Sequence, residues 1–301
     1  MKKQLFTLLT IALLTANFTA VKTDADTKII ITGTRFTYPI IEKWIVEFKK
    51  THPTINIRLA PLGSSGADSA NLKITSHDIL QGDLKEEQTY VAVAKYGLLP
   101  IANSKSPLVA YYKDKGLQEA DIKELFFTDN TGKSKNYVTY TRESKSCAPI
   151  SFASYYGYSF SDLSGTKIPG DDKALLQALK KDSLGISYNN LGYVYDIRSR
   201  KLAEGIALLP LDLNNNGKVD KDEQFYNTLD EVITKFETTP NKLLVTEDVN
   251  IIYQKNSSNP NLQLFLKWVL NEGQKFNHEI GFLNFNSTEL SKQKLALQKT
   301  E

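Results

Sequence analysis

Cysteine is nearly missing from this sequence: Cys147 is the only one among 301 residues. An intramolecular disulfide framework is therefore excluded, and so are cysteine-paired zinc sites. Histidine is scarce as well. His52, His77 and His278 lie far apart and in no zinc-ligand spacing. No histidine is near Cys147 in sequence, so no Cys–His catalytic pair is named. After the N-terminal stretch, no segment has the roughly 18 consecutive apolar residues of a membrane-spanning helix. The formal net charge is only +3. No Lys/Arg cluster and no basic–aromatic interleaving marks a nucleic-acid surface. Thr131-Gly132-Lys133-Ser134 has the tail of a P-loop, but Phe127 stands where its first Gly belongs. Gly63-Ser64-Ser65-Gly66 lacks the Gly-x-Ser-x-Gly spacing of a nucleophile elbow.

The composition, 41% hydrophobic and 24% charged, is that of a soluble globular protein. Residues 1–20 read as a cleavable signal peptide: Lys2 and Lys3 precede an apolar core at 5–14. No cysteine is nearby, so a lipoprotein is not expected. At 301 residues the chain can hold two domains or one large one, and the mature product is expected in the periplasm.

The mature chain alternates strand and helix signals. The apolar run 28–32 reads as a buried parallel strand. Pro39 opens a helix whose Ile40, Ile41, Trp44, Ile45 and Phe48 recur at helical spacing, ended by His52-Pro53. Residues 55–59 and 72–74 read as strands, with a short helix after the Gly-Ser loop at 63–67. Residues 96–102, with Pro100 inside, read as an edge or crossing strand. Further on come helix 118–127, strand 137–140, helix 172–181, strands 185–188 and 206–210, helix 223–236, strand 249–253 and a late helix around Phe265 and Trp268. Such alternation predicts an α/β fold with a parallel sheet, whose ligands sit at the carboxyl ends of strands. Loops 33–37, 63–66 and 75–78 fall at such ends.

Two stretches carry chemistry. Thr141-Arg142-Glu143-Ser144-Lys145-Ser146-Cys147-Ala148-Pro149 reads as strand end, loop and helix start. Ser146 suits the N-cap and Pro149 the first turn. A helix N-terminus beside an Arg is a ready oxyanion site, because a guanidinium can meet two oxygens at once. The second stretch runs from Asp212 to Glu223 and fits the twelve-residue calcium template. Asp212, Asn214, Asn216 and Asp220 supply side-chain oxygens, Lys218 a carbonyl and Glu223 a bidentate carboxylate, with Gly217 at the sharp turn. A structural Ca²⁺ is the expected cofactor.

These loops resemble the phosphate-binding periplasmic components of ABC transporters, in the divergent PstS-like group that carries a calcium-type loop. Gly33-Thr34-Arg35-Phe36-Thr37 looks like that family's Gly-x-Thr-Phe-Pro segment, and Gly63-Ser64-Ser65-Gly66 its Gly-Ser-Ser-Gly loop. His77, with Asp78 next to it, falls where the family has an Asp that accepts the ligand's proton. Arg142 and Ser146 match its Arg and Ser, while Cys147-Ala148 replaces its Gly-Thr. The resemblance implies a type II periplasmic binding protein, two α/β lobes around a ligand cleft. The first lobe is expected at 27–100 plus 248–301, and the second at 101–247. It implies a non-enzymatic, monomeric protein that captures phosphate or a similar oxyanion for an inner-membrane ABC permease. Thr34, Arg35, Phe36, Ser64, His77, Asp78, Arg142, Ser146 and Cys147 are the expected ligand contacts. Two other readings are an exported phosphate-ester hydrolase using Cys147 or Ser146, and a calcium-dependent interaction module that has lost the ligand.

Overall fold

The computed structural model describes residues 28–79, 83–128 and 136–299. The expected signal peptide and the P-loop-like tail at 131–134 lie outside the described residues. Strand β1 (Ile29–Gly33) is buried at all five positions, which explains its unbroken apolar sequence. Helix α1 (Tyr38–Thr51) follows, and all five apolar positions read from its periodicity are buried. The Trp44 indole donates to the Gly273 carbonyl at 3.0 Å and ties α1 to the C-terminal part of the chain. Strands β2 (Ile57–Leu59) and β3 (Leu72–Thr75) flank β1, both parallel to it.

The second parallel group comes later. Between the groups runs β4 (Gln88–Asn103), then α2 (Pro107–Tyr112) and α3 (Glu119–Phe127). Strand β5 (Val138–Arg142) leads into α4 (Cys147–Tyr155); β6 (Thr166–Ile168), α5 (Asp172–Lys181) and β7 (Gly185–Asn190) follow. Strand β5 lies parallel to both β6 and β7. Helix α6 (Leu191–Val194), β8 (Ile206–Leu208), α7 (Leu229–Thr238), β9 (Val245–Gln254), α8 (Pro260–Asn271) and α9 (Ser287–Gln298) complete the order.

The strand order is β2-β1-β3-β9-β4-β7-β5-β6, with β8 also on β4. Two parallel three-stranded groups are thus joined by the long antiparallel pair β4 and β9. The carboxyl ends of β1, β3 and β5 carry the polar loops, so the topology brings loops distant in sequence toward one cleft. Gly33 makes this possible locally. Its φ is +135°, and a Cβ there would lie 2.1 Å from the Ile74 carbonyl oxygen. Only glycine lets the end of β1 pass so close to β3.

Three sequence expectations need correction. Of the edge or crossing strand expected at 96–102, the edge reading fails: these residues belong to β4, which pairs with β9 on one side and β7 on the other and runs between the two parallel groups. Pairing with β9 stops at Leu98 and pairing with β8 starts at Ile101. Pro100 falls between those partners, where a missing N–H is tolerated. No helix follows the loop at 63–67, where the chain makes successive turns. The expected helix 223–236 starts only at Leu229, after a single 3-10 turn at Lys221–Glu223. Thr228 caps it by accepting from the Glu231 N–H at 3.2 Å.

Candidate functional site

The cleft has a volume of about 680 Å³. Thr34, Arg35 and Phe36 reach it from the end of β1, and Thr75 and His77 from the end of β3. Arg142, Ser144, Lys145, Ser146, Cys147 and Ala148 come from β5 and the start of α4. Gly170, Asp171 and Asp172 precede or open α5, and Tyr193 comes from α6. Seven of the nine expected ligand residues are therefore brought together. Ser64 and Asp78 do not line this cleft.

Arg142 is the buried cation of the cleft lining, only 7% exposed. Its Nη1 donates to Asp172 Oδ1 at 2.7 Å. Its Nη2 donates to Ser144 Oγ at 3.2 Å and also to the Gly170 carbonyl. Its Nε has no partner among the described residues. Burial pushes the Asp172 carboxyl above its usual range, while Arg142 pulls it the other way. The pair holds the guanidinium in one orientation at the cleft wall. Asp172 was not legible as its partner in the sequence, since thirty residues separate them.

Ser146 does occupy the N-cap of α4, with extended backbone angles. Its hydroxyl makes no capping bond and is buried without a partner among the described residues. An unpaired buried hydroxyl is destabilising by about 1–3 kcal/mol unless something else satisfies it. Cys147 opens the helix, and its thiol faces the opposite wall. Thr34 Oγ1 lies 3.1 Å from Sγ, Thr75 Oγ1 3.8 Å, and the Ser76 N–H donates to it at 3.4 Å. The β1 and β3 loops therefore touch the start of α4 directly through this sulfur. Ser76 is fully buried, and its carbonyl accepts from Tyr96 Oη at 2.7 Å and Ser151 Oγ at 3.2 Å. The Phe36 ring packs on Tyr96 with centroids 4.7 Å apart and on Phe282 at 6.1 Å, which anchors the first loop.

His77 turns its Nδ1 to the Asp78 carbonyl at 2.8 Å. The Asp78 carboxyl instead meets Glu247 on β9. Burial raises the Glu247 carboxyl to about 7, and the Asp78 and Asp248 charges add to this. The Asp248 N–H, donating at 2.9 Å, works against the shift. A carboxyl raised in the folded state binds its proton more tightly there than in the unfolded chain. Its contribution is fully present below the unfolded value of 4.5 and is lost as pH rises through about 7. Glu247→Gln, which keeps the shape without the charge, is expected to add about 1–2 kcal/mol at pH 8 after allowing for solvent screening. Near pH 5 it should change little, and chemical denaturation at both pH values checks this. Equal effects at both would contradict the assignment.

The acidic loop lies on another face, against α3. Asp212 and Glu223 are each only 1% exposed. Asp212 accepts from Gln118 Nε2 and the Gly217 N–H, both at 2.7 Å, and from the Asn216 N–H at 3.0 Å. Glu223 accepts from the Asn214 N–H at 3.1 Å and the Asp220 N–H at 2.8 Å. The Asn214 and Asn216 amides converge on Asp220 Oδ2 at 2.9 and 2.7 Å. Asn215 and Gly217 take left-handed backbone angles, which curls the loop inward. Among the described residues no three acidic, His or Cys side chains form a metal-holding group by themselves. The donor set relies on amide and carbonyl oxygens besides the carboxylates, which suits a hard cation of high coordination number.

No protein-family model and no curated protein matches the sequence. Solved structures do. A Clostridium perfringens protein described as a phosphate ABC transporter substrate-binding protein, with bound phosphate, has a TM-score of 0.62 at 16% identity, covering 86% of this chain and 100% of that one. An ABC-type phosphate transport receptor from Vibrio cholerae gives 0.60 at 14%, with coverages of 86% and 100%. The reduced form of OxyR from Neisseria meningitidis gives 0.52 at 10%, with coverages of 82% and 96%. At these identities the likeness establishes the fold: this chain has the type II periplasmic binding protein fold, two α/β lobes around a ligand cleft.

Proposed function

We propose that the chain is a non-enzymatic solute-binding protein whose cleft captures phosphate or a similar tetrahedral oxyanion for an ABC permease. The observation that carries this is Arg142: a buried guanidinium, oriented by Asp172, in a cleft beside the N-terminus of a nine-residue helix. Buried Arg and helix N–H groups both favour an anion, and the fold neighbours that bind phosphate support the same class. In this reading Arg142 supplies charge, Ser146 a hydroxyl donor, and the Phe36, Cys147 and Ala148 backbones their N–H groups. His77 stands at the cleft where an acidic acceptor is expected, while the lining carboxylates are Asp83, Asp171 and Asp172, with Asp172 engaged by Arg142; phosphate and sulfate are therefore discriminated less strongly at the His77 position. The two lobes close on the ligand. The protein is exported to the periplasm, works as a monomer and meets its permease at the inner membrane.

The hydrolase reading has less support. Among the described residues, the polar contacts of Cys147 Sγ are Thr34, Thr75 and Ser76, and none is a general base. The oxyanion reading is tested by calorimetric titration of the purified protein with phosphate and with sulfate, beside an assay on an aryl phosphate. Saturable binding without turnover is expected. Turnover removed by Cys147→Ala would overturn it.

For the acidic loop we propose one structural Ca²⁺, held by Asp212, Asn214, Asn216, Asp220 and Glu223 with the Lys218 carbonyl. Bound there, the ion would fix the loop against α3 by drawing its carboxylates and carbonyls to one centre.

A further inference from the structure

We infer that the cleft is built for an organic phosphate, a phosphate monoester, more than for the free inorganic ion. This rests on the oxyanion reading of the same site and names its substrate class.

Size is the first argument. The cleft holds about 680 Å³. A free tetrahedral oxyanion displaces the volume of two or three waters, at roughly 30 Å³ each. Pockets of several hundred Å³ suit ligands with an organic body. Lobe closure normally shrinks an open cleft around a small ion. Here the walls already meet at the floor, where Cys147 Sγ stands 3.1 Å from Thr34 Oγ1 and takes the Ser76 N–H at 3.4 Å. The sulfur takes the Ser76 N–H of the β3 loop and engages the Thr34 hydroxyl of the β1 loop, groups that a small anion held between the walls would need.

The lining is the second argument. Arg142 and Ser146 mark one polar end. Away from them the wall includes Leu62, Ile79, Ile150, Tyr193 and Ile252, contributed from both sides of the cleft. Apolar surface is of no use to an inorganic ion and favours a carbon skeleton. Tyr193 is half-buried and its phenol has no partner among the described residues. Burial pushes that phenol up to about 12, so it stays a donor at neutral pH, suited to a ligand hydroxyl. At the mouth Arg35, Lys73 and Lys145 are exposed and form no ion pair among the described residues. They raise the local concentration of any dianionic ester.

The test is calorimetric titration with inorganic phosphate, glycerol 3-phosphate and glucose 6-phosphate, with glycerol and glucose as phosphate-free controls. At least one ester is expected to bind tenfold or more tightly than inorganic phosphate. Tyr193→Ala should lower ester affinity about tenfold or more. Leu62→Ser, at a half-exposed position that does not threaten folding, should lower it severalfold. Inorganic phosphate binding as tightly as every ester, or unchanged ester affinity in Leu62→Ser with Tyr193→Ala folded and also unchanged, would overturn the inference and leave the oxyanion reading standing. No binding of phosphate or of either ester would overturn both.

Discussion

Arg142→Ala is expected to lose anion binding by tenfold or more and to lose stability as well. The guanidinium is one half of a buried pair, with side-chain exposures of 8% for Arg142 and 10% for Asp172. Removing one partner leaves a buried charge uncompensated, which typically costs about 3–5 kcal/mol. The Gly170 carbonyl and the Ser144 hydroxyl lose their donor in the same substitution. Asp172 has one escape, protonation, and burial already pushes its carboxyl in that direction. The damage should therefore be smaller near pH 5 than near pH 8, because only the higher pH demands an unpaired carboxylate. A double replacement, Arg142→Met with Asp172→Leu, separates the two roles. It should recover most of the stability, since apolar residues of similar volume can replace a buried pair. It should recover none of the binding, since the charge that meets the ligand is gone. Urea denaturation at the two pH values and titration calorimetry check both halves. A single mutant as stable as the parent, with unchanged affinity, would remove Arg142 from the site.

The second large effect concerns the acidic loop. Calcium added to metal-stripped protein is expected to stabilise it by about 2.7 kcal/mol at one hundred times the dissociation constant. For a chain of this size that corresponds to a rise in Tm of roughly 4–5 °C. Magnesium should do much less, because it prefers six ligands at shorter distances and dehydrates reluctantly. Glu223→Gln removes a buried carboxylate that accepts two backbone N–H bonds in the loop. It should abolish the calcium shift. It should also lower the stability of the stripped protein by about 1–3 kcal/mol through weaker acceptance of those bonds. A calcium shift that survives the substitution would place the ion elsewhere. No shift at millimolar calcium would mean that the loop folds on its own hydrogen bonds.

Where local physics decides the structure, the sequence was readable. Every apolar position at helical spacing in 40–48 is buried in α1, and the unbroken run 29–31 is a core strand. The Arg142 to Cys147 stretch is strand end, loop and helix start, as its pattern implied. Pro100 leaves an edge and a crossing strand equally open, and the gap between the β9 and β8 pairings that accommodates it in a crossing strand depends on two partners distant in sequence. The start of α7 was misplaced because its apolar period continues smoothly out of the acidic loop. Thr228 with Glu231 three residues on was the missed cap signal.

Site residues were legible where a motif held them, and not where the fold alone brings them in. Asp172, Thr75 and Tyr193 have no local pattern that marks them, because their place depends on the packing of separate elements around β5 and β3. Ser64 is the reverse case. It sits in a motif-like loop, but the turn that begins at Pro61 carries Leu62 to the cleft instead.

The most direct test of the central reading is calorimetric titration of the mature, calcium-loaded protein with phosphate, sulfate and a phosphate monoester. Saturable binding of at least one of them, lost in Arg142→Ala and retained in Glu223→Gln, is the result expected of a cleft that captures a tetrahedral oxyanion. No binding of any of the three by folded protein would contradict that account and leave a binding-protein fold put to another use.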